Sequence, residues 1–221
     1  MKQTVVITGA SRGIGLSLTK LYLSKGCNVF ALCRQPSAEL STSGATVVEG
    51  IDMADDRVIE RLKNTLAGVR IDLLINNAGI LQNEVLGQID FDSLRQQFEV
   101  NTLGPIRAVE ALASNLVTGA KVAMITSRMG SVTDNTSGGR YGYRMSKAAL
   151  NIAAVSMAHD LSHNHVSIAI IHPGLVGTEM IGGHGDITPD QAAERIAQRI
   201  EVLTPETSGT FWHSNGEVLP W

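Results

Sequence analysis

The sequence predicts an α/β fold: a single-domain, doubly wound parallel sheet of about seven strands with helices on both faces, spanning residues 1–221. Three observations predict it. Short β-branched runs alternate with longer helical patterns along the whole chain, which implies right-handed crossovers. Several runs are apolar almost throughout rather than at every second position, the pattern of strands covered on both faces. No linker, charge block, low-complexity segment or repeat marks a boundary.

The strand runs are TVVIT (4–8), NVFAL (28–32), ATVVEGI (45–51), IDLLIN (71–76), KVAMIT (121–126), VSIAII (166–171) and a short TFWH (210–213). Helical patterns fill the gaps at about 14–25, 55–67, 92–116, 143–162 and 189–202. The last has a clear start, with Thr188 as N-cap, Pro189 in the first turn and Gln191 three residues after the cap.

Hydrophobic residues make up 43% and charged residues 18% of the 221, the balance of a well-cored globular protein. A net charge of −3 gives no footprint for nucleic acid or an anionic membrane, so neither is expected as a partner. No apolar run reaches the roughly 18–20 residues of a membrane span. The start MKQTVVITGAS passes at once into an apolar strand, unlike a cleaved signal, and a cytoplasmic address is expected. Cys27 and Cys33 flank NVFAL. On a strand they would stand roughly 20 Å apart, beyond the reach of a disulfide, so both are expected as free thiols.

In such a sheet, ligands bind beyond the carboxyl ends of the strands. The residues placed there are Gly9–Gly15, Cys33–Arg34, Asp52–Met53, Asn76–Gly79, Ser127 and Pro173–Thr178. In TGASRGIG, Gly9, Gly13 and Gly15 let the backbone turn sharply and approach a ligand, and the following helix offers unpaired N–H groups to a phosphate. That strand–loop–helix context predicts a Rossmann-type dinucleotide site. Arg34 after the second strand stands where a carboxylate would read a ribose 2′-hydroxyl. An arginine suits a 2′-phosphate instead, with Arg12 as a second contact, so NADP(H) is the expected cofactor.

The stretch RYGYRMSK offers two tyrosines to Lys147. Residues four apart on a helix share a face, about 5–6 Å between Cβ atoms, so Tyr143 is the partner and Tyr141 is left as a pocket-wall or packing residue. Ser127 directly follows KVAMIT and is preferred over Ser131 for a place at the sheet edge.

TGASRGIG, NNAG (76–79), Asn101, Ser127, YRMSK (143–147) and HPGLVGT (172–178), in this order through nearly the whole chain, resemble the short-chain dehydrogenases/reductases. NTSGGRYGYRMSKAALN and FWHSNGEVLPW look most like the small carbonyl reductases related to C-factor and sniffer. The resemblance implies catalysis by Asn101, Ser127, Tyr143 and Lys147. Tyr143 would protonate the developing alkoxide, Ser127 would hold the carbonyl oxygen, and Asn101 would bind a water that relays protons to Lys147. A free phenol has a pKa near 10, and Lys147 and an oxidised nicotinamide would both lower it. Gly104–Pro105 beside Asn101 is consistent with a kink in that helix. The implied cofactor contacts are Gly9, Ser11, Arg12, Gly13, Ile14, Gly15, Arg34, Asp52, Met53, Asn76, Ala78, Gly79, Tyr143, Lys147, Pro173, Gly174, Val176 and Thr178. Among these, Asp52 would meet the adenine, Asn76, Ala78 and Gly79 the adenine-ribose side, and Pro173, Gly174 and Thr178 the nicotinamide.

Two departures concern the substrate. Ser127 and Tyr143 stand 16 residues apart, about three more than the family's common spacing, with the excess in the Gly-rich NTSGGR loop. The lid segment between Thr178 and Pro189 is short and carries three glycines, which predicts mobility and an open pocket. Leu81, Met129, Tyr141, Val176 and Met180 as walls favour a hydrophobic or aromatic carbonyl compound.

The expected activity is therefore an NADPH-dependent carbonyl reductase, or the reverse alcohol oxidation, on a small-molecule substrate. The alternatives are a 3-oxoacyl thioester reductase, for which Arg128 and Arg140 would supply positive charge, and a non-enzymatic NADP-binding signalling or regulatory protein. No metal site is expected: His159, His163 and His165 fall at a helix end, where positive groups suit the dipole. The apolar tail VLPW is either an interface or a cover for the domain's own edge, and the family resemblance implies a homodimer or homotetramer.

Overall fold

The computed structural model describes residues 2–221. Its elements in chain order are β1 (Thr4–Thr8), α1 (Gly13–Ser24), β2 (Asn28–Leu32), α2 (Ala38–Ser41), β3 (Thr46–Val48), α3 (Val58–Thr65), β4 (Ile71–Asn76), α4 (Phe91–Phe98), α5 (Gly104–Leu112), β5 (Leu116–Ile125), α6 (Tyr141–Asp160), β6 (Ser167–His172), α7 (Pro189–Glu201) and β7 (Phe211–His213). The seven strands form one all-parallel sheet in the order β3-β2-β1-β4-β5-β6-β7. The order reverses between β1 and β4, which opens a crevice at their carboxyl ends.

The apolar runs are explained by the two faces they fill. Val6 and Leu74 enter one core with Leu62, Ala108, Leu112 and Leu150 from α3, α5 and α6. Their neighbours Val5, Ile7, Leu73 and Ile75 enter the other with Leu18, Ile196 and Ile200 from α1 and α7. Alternation of side chains along a strand makes every position apolar when both faces are covered.

Several expected boundaries move. The helix expected over 92–116 is α4, a π-helical segment Glu99–Leu103 and α5, and Leu116 already belongs to β5. A π turn inserts a residue into the helix, which is the form taken here by the kink expected at Gly104–Pro105. The run expected as 45–51 pairs only over β3, because Gly50 turns away at φ +69. The short α2 is carried by the Ser37 side chain accepting from Leu40 N at 3.1 Å, with Leu40 fully buried. The α7 start has the expected capping box of Thr188 and Gln191.

The tail covers the chain's own edge. Leu219 is buried and donates its N–H to Phe211 O at 2.9 Å, and Trp221 stacks on Phe211 at 5.4 Å between centroids. Cys27 and Cys33 are free thiols. Among the described residues no helix is long and apolar enough to cross a membrane.

Gly15 has no room for a side chain: a Cβ there would stand 2.2 Å from Gly9 O and 2.6 Å from Asn77 Nδ2. Gly15→Ala is expected to cost about 1–3 kcal/mol by overpacking, a fall of roughly 2–12 °C in Tm for a chain of this size. A melting curve superimposable on the parent's would contradict it.

Candidate active site

The crevice is a cleft of about 1550 Å³ running across the carboxyl ends of the strands. Its floor begins at the glycine loop. Gly9 adopts φ +66, and a Cβ on it would stand 2.7 Å from Ala78 Cα, so the β1 and β4 loops touch backbone to backbone. Asn77 locks this contact: its Nδ2 donates to Thr8 O at 3.2 Å and Gly9 O at 3.1 Å, and its N–H donates to Thr8 Oγ1 at 3.0 Å.

Of the residues expected to contact a cofactor, Gly9, Ser11, Arg12, Gly13, Ile14, Arg34, Asp52, Met53, Ala78, Gly79, Tyr143, Lys147, Pro173, Gly174, Val176 and Thr178 line this cleft. Gly15 and Asn76 do not. Gly15 is buried behind the loop, where it permits the Asn77 contact. Asn76 still belongs to β4, so strand alternation turns it into the core, with Nδ2 donating to Met124 Sδ at 3.4 Å. Its neighbour Asn77 is the residue on the cleft wall. The NNAG motif holds two adjacent asparagines, and the exact end of the strand decides which one faces out.

At the far end, Ser127, Tyr143 and Lys147 share one wall. Ser127 lies two residues past the end of β5 and accepts from Met129 N at 3.1 Å, while Ser131 caps Asp134 N and lies off the cleft. Tyr143 and Lys147 stand on successive turns of α6, with Lys147 Nζ 5.8 Å from the tyrosine ring centroid. Tyr141 lies on the same helix outside the cleft, so its place as a pocket wall is not met. Leu81, Met129 and Met180 are on the wall.

Asn101 sits in the π segment with no exposed surface. Its side chain bridges both backbone groups of Ile80 at 2.8 Å and donates to Ser146 Oγ at 3.0 Å. The carboxamide is therefore a strut between three segments, set behind the cleft wall. It remains close to Lys147: a Cβ on Gly79 would stand 3.3 Å from Asn101 Oδ1 and 3.7 Å from Lys147 Nζ.

Lys147 is 4% exposed, has no acidic partner, and donates to Ile125 O at 2.9 Å. Burial lowers its pKa to about 8. Burial pushes the Tyr143 phenol above its ordinary value, against the opposing pulls of Ser127 and the Arg140 charge. Burial outweighs both, and the pull expected from Lys147 is not among those acting on the phenol in the chain alone. His172, also on the wall, is held down to about 3 by burial and by the neighbouring His213 and Arg128, so it stays neutral.

One buried strut went unseen in the sequence. Glu84 is buried, and its carboxylate accepts from Ser93 Oγ at 2.9 Å, from Gln97 Nε2, and from Gly142 N at 3.1 Å. It satisfies the first turn of α6, whose own N-cap, Arg140, provides no side-chain bond. A lone glutamate 58 positions upstream in a polar loop carries no signal of this. The lid, expected to be mobile, has a short 3₁₀ turn Glu179–Ile181 and is closed by Gly177 N to Ile187 O at 2.9 Å and Asp186 N to Leu175 O at 2.8 Å. Glu179 also binds Arg12 at 2.8 Å, tying the lid to the glycine loop.

The buried ammonium makes a prediction about stability. Below about pH 8 Lys147 is protonated in both the folded and unfolded chain, so the full cost of burying the charge applies. That cost fades as pH rises from about 8 towards the unfolded value of 10.5, where both states become neutral. Lys147→Met is therefore expected to raise Tm relative to the parent at pH 7, with the gap closing as pH rises through that window. A gap that is constant or widening between pH 7 and 10 would contradict it.

Comparison with known proteins identifies the family. The family model described as short chain dehydrogenase matches residues 3–187. The chain is 43% identical over 224 residues to 1-hydroxy-2-glutathionyl-2-methyl-3-butene dehydrogenase of Rhodococcus sp. strain AD45, covering 99% of each chain. Among solved structures, the NADPH-bound carbonyl reductase from chicken fatty liver superposes with a TM-score of 0.89 at 26% identity, covering 100% of this chain and 99% of that one. The carbonyl reductase Sniffer of D. melanogaster does so with a TM-score of 0.87 at 27% identity, covering 100% of both. The chain belongs to the short-chain dehydrogenase family.

Proposed function

We propose that this oxidoreductase is NADP(H)-dependent and interconverts a carbonyl compound and its alcohol, with Tyr143 as the acid and base. The observation that carries the reading is the convergence of Ser127, Tyr143 and Lys147 on one wall of a cleft that starts at a glycine loop.

The cleft fits a dinucleotide phosphate. Side chains on Gly9 and Gly15 would break the contacts that bring the β1 loop against β4, and the N-terminus of α1 opens onto the cleft at Gly13 and Ile14. Arg34 lines the cleft at the end of β2, on the side away from Tyr143, and would pair with a ribose 2′-phosphate. Arg12 is engaged with Glu179, so a contact to the same phosphate would require it to leave that pair. The chicken relative is described as NADPH-bound. When bound, the nicotinamide supplies or accepts the hydride.

Ser127 orients the substrate oxygen towards the Tyr143 hydroxyl, and Tyr143 gives its proton to that oxygen in reduction or takes it in oxidation. Lys147, its charge balanced by no carboxylate, favours the phenolate whenever it is protonated. Asn101 fixes Ile80 and Ser146 around Lys147. The Rhodococcus relative is named for an alcohol, and the same residues serve either direction.

Tyr143→Phe is expected to lower turnover by about 10²–10⁴-fold while NADPH still raises Tm, because the substitution removes the proton and spares the fold. Tyr141→Phe should keep most activity; a loss as deep as that of Tyr143→Phe would reassign the tyrosine. Arg34→Asp should reduce the NADPH-over-NADH preference in kcat/KM by about tenfold or more. An unchanged ratio would remove Arg34 from 2′-phosphate recognition.

A further inference from the structure

The cleft carries four arginines besides Arg34, and they differ in how their charge is answered. Arg12 is paired with Glu179, and Arg128 with Asp134 and Glu217. Arg140 and Arg144 have no carboxylate partner. The Arg144 guanidinium donates only to neutral oxygens: Gly138 O at 3.3 Å, Gly139 O at 3.2 Å and Ser137 Oγ at 2.9 Å. The exposed Arg140 guanidinium reaches only Met129 Sδ at 3.8 Å. Both line the wall that carries Tyr143 and Met129, away from the Arg34 end.

Arg140 is also held there against its backbone preference. It adopts φ 50 and ψ 46, a left-handed conformation that glycine would adopt more easily, and both preceding residues are glycines. The Arg140 N–H donates to Glu84 O at 2.9 Å, and the Glu84 carboxylate bonds Gly142 N at 3.1 Å, so one buried residue fixes both the strained turn and the start of α6. A non-glycine residue retained in such a conformation at a cleft points to use of its side chain. That side chain reaches the site electrostatically, since its charge favours the Tyr143 phenolate.

We propose that the substrate carries a carboxylate remote from its reacting carbon, read by Arg140 with Arg144 behind it, and, because the 43%-identical Rhodococcus relative is named for a glutathionyl alcohol, that its class is the thioether-linked peptide alcohols and carbonyls exemplified by glutathione conjugates. A guanidinium binds a carboxylate through two parallel hydrogen bonds, which gives orientation as well as attraction. The apolar walls Leu81, Met129 and Met180 face the carbon skeleton, while the charged group lies at the cleft mouth. This adds a remote charged group to the hydrophobic or aromatic carbonyl compound expected from those walls. It rests on the reading of Tyr143 as acid and base at the same cleft. A pantetheine phosphate would present the same negative charge to the same arginines, and the test separates the two sources.

The test compares 2-glutathionyl-2-phenylethanol with 2-ethylthio-2-phenylethanol, which has the same reacting alcohol and no carboxylate. Binding is measured calorimetrically on the NADP⁺-loaded Tyr143→Phe protein, where turnover is blocked, with and without Arg140→Gly. Glycine keeps the left-handed turn without strain, so lost affinity is not lost folding. The glutathionyl ligand is expected to bind about tenfold or more tightly than the ethylthio ligand, and Arg140→Gly should remove most of that ratio. Equal affinities, or a ratio unaltered by Arg140→Gly, would overturn the proposal. So would tighter binding of acetoacetyl-coenzyme A than of the glutathionyl ligand. Oxidation of both alcohols is assayed separately on the parent protein. Discrimination in binding without any turnover would count against the catalytic reading and leave the carboxylate assignment standing.

Discussion

The cleft depends on how closely the β1 and β4 loops meet at the point where the strand order reverses. Gly9 and Ala78 touch through their backbones, and the Asn77 carboxamide donates to the carbonyls of Thr8 and Gly9. Asn77 thereby supplies a side-chain donor to both carbonyls where β1 ends. The same contact orders both sides of the site. It holds the glycine loop at the start of α1, and it leads the chain from β4 into Gly79 and Ile80, where Asn101 takes over.

From there the structure is a sequence of polar struts around one uncompensated charge. Asn101 connects Ile80 to Ser146, Thr102 donates to Ser146 O, and Glu84 connects the loop after β4 to α4 and to the first turn of α6. Each strut ends on a residue adjacent to Tyr143 or Lys147. Lys147 itself is buried with only a carbonyl oxygen for company. An apolar residue of similar size would stabilise the neutral-pH fold better, so the lysine is a cost that the surrounding hydrogen bonds must offset. Such costs are expected where chemistry rather than stability selects the residue.

The sequence made the sheet and the Ser127–Tyr143–Lys147 wall legible, because both rest on local pattern. The apolar runs forecast strands covered on two faces, and four-residue helical spacing paired Tyr143 with Lys147. What stayed hidden rests on exact boundaries or on distant partners. Asn76 and Asn77 are neighbours of identical type, and only the last residue of β4 decides which one faces the cleft. Tyr141 falls outside the cleft because α6 turns it away. Glu84 meets α6 across a long loop, and nothing local to either end announces the contact. The lid glycines were legible, whereas the backbone bonds across that segment and the Arg12–Glu179 pair were not. Arg140 was visible as a charge, while its left-handed backbone was not.

The central claim is that Tyr143 is a phenol whose proton is controlled by the bound nicotinamide and the neighbouring charges. The most direct measurement is a spectroscopic titration of tyrosinate in the parent protein and in Tyr143→Phe, each with and without NADP⁺, so that the difference isolates one phenol. The account predicts that Tyr143 in the chain alone titrates above the ordinary value near 10, because burial dominates, and that saturating NADP⁺ moves it downward. A Tyr143 titration that NADP⁺ leaves in place, or one already below the ordinary value in the chain alone, would contradict the account.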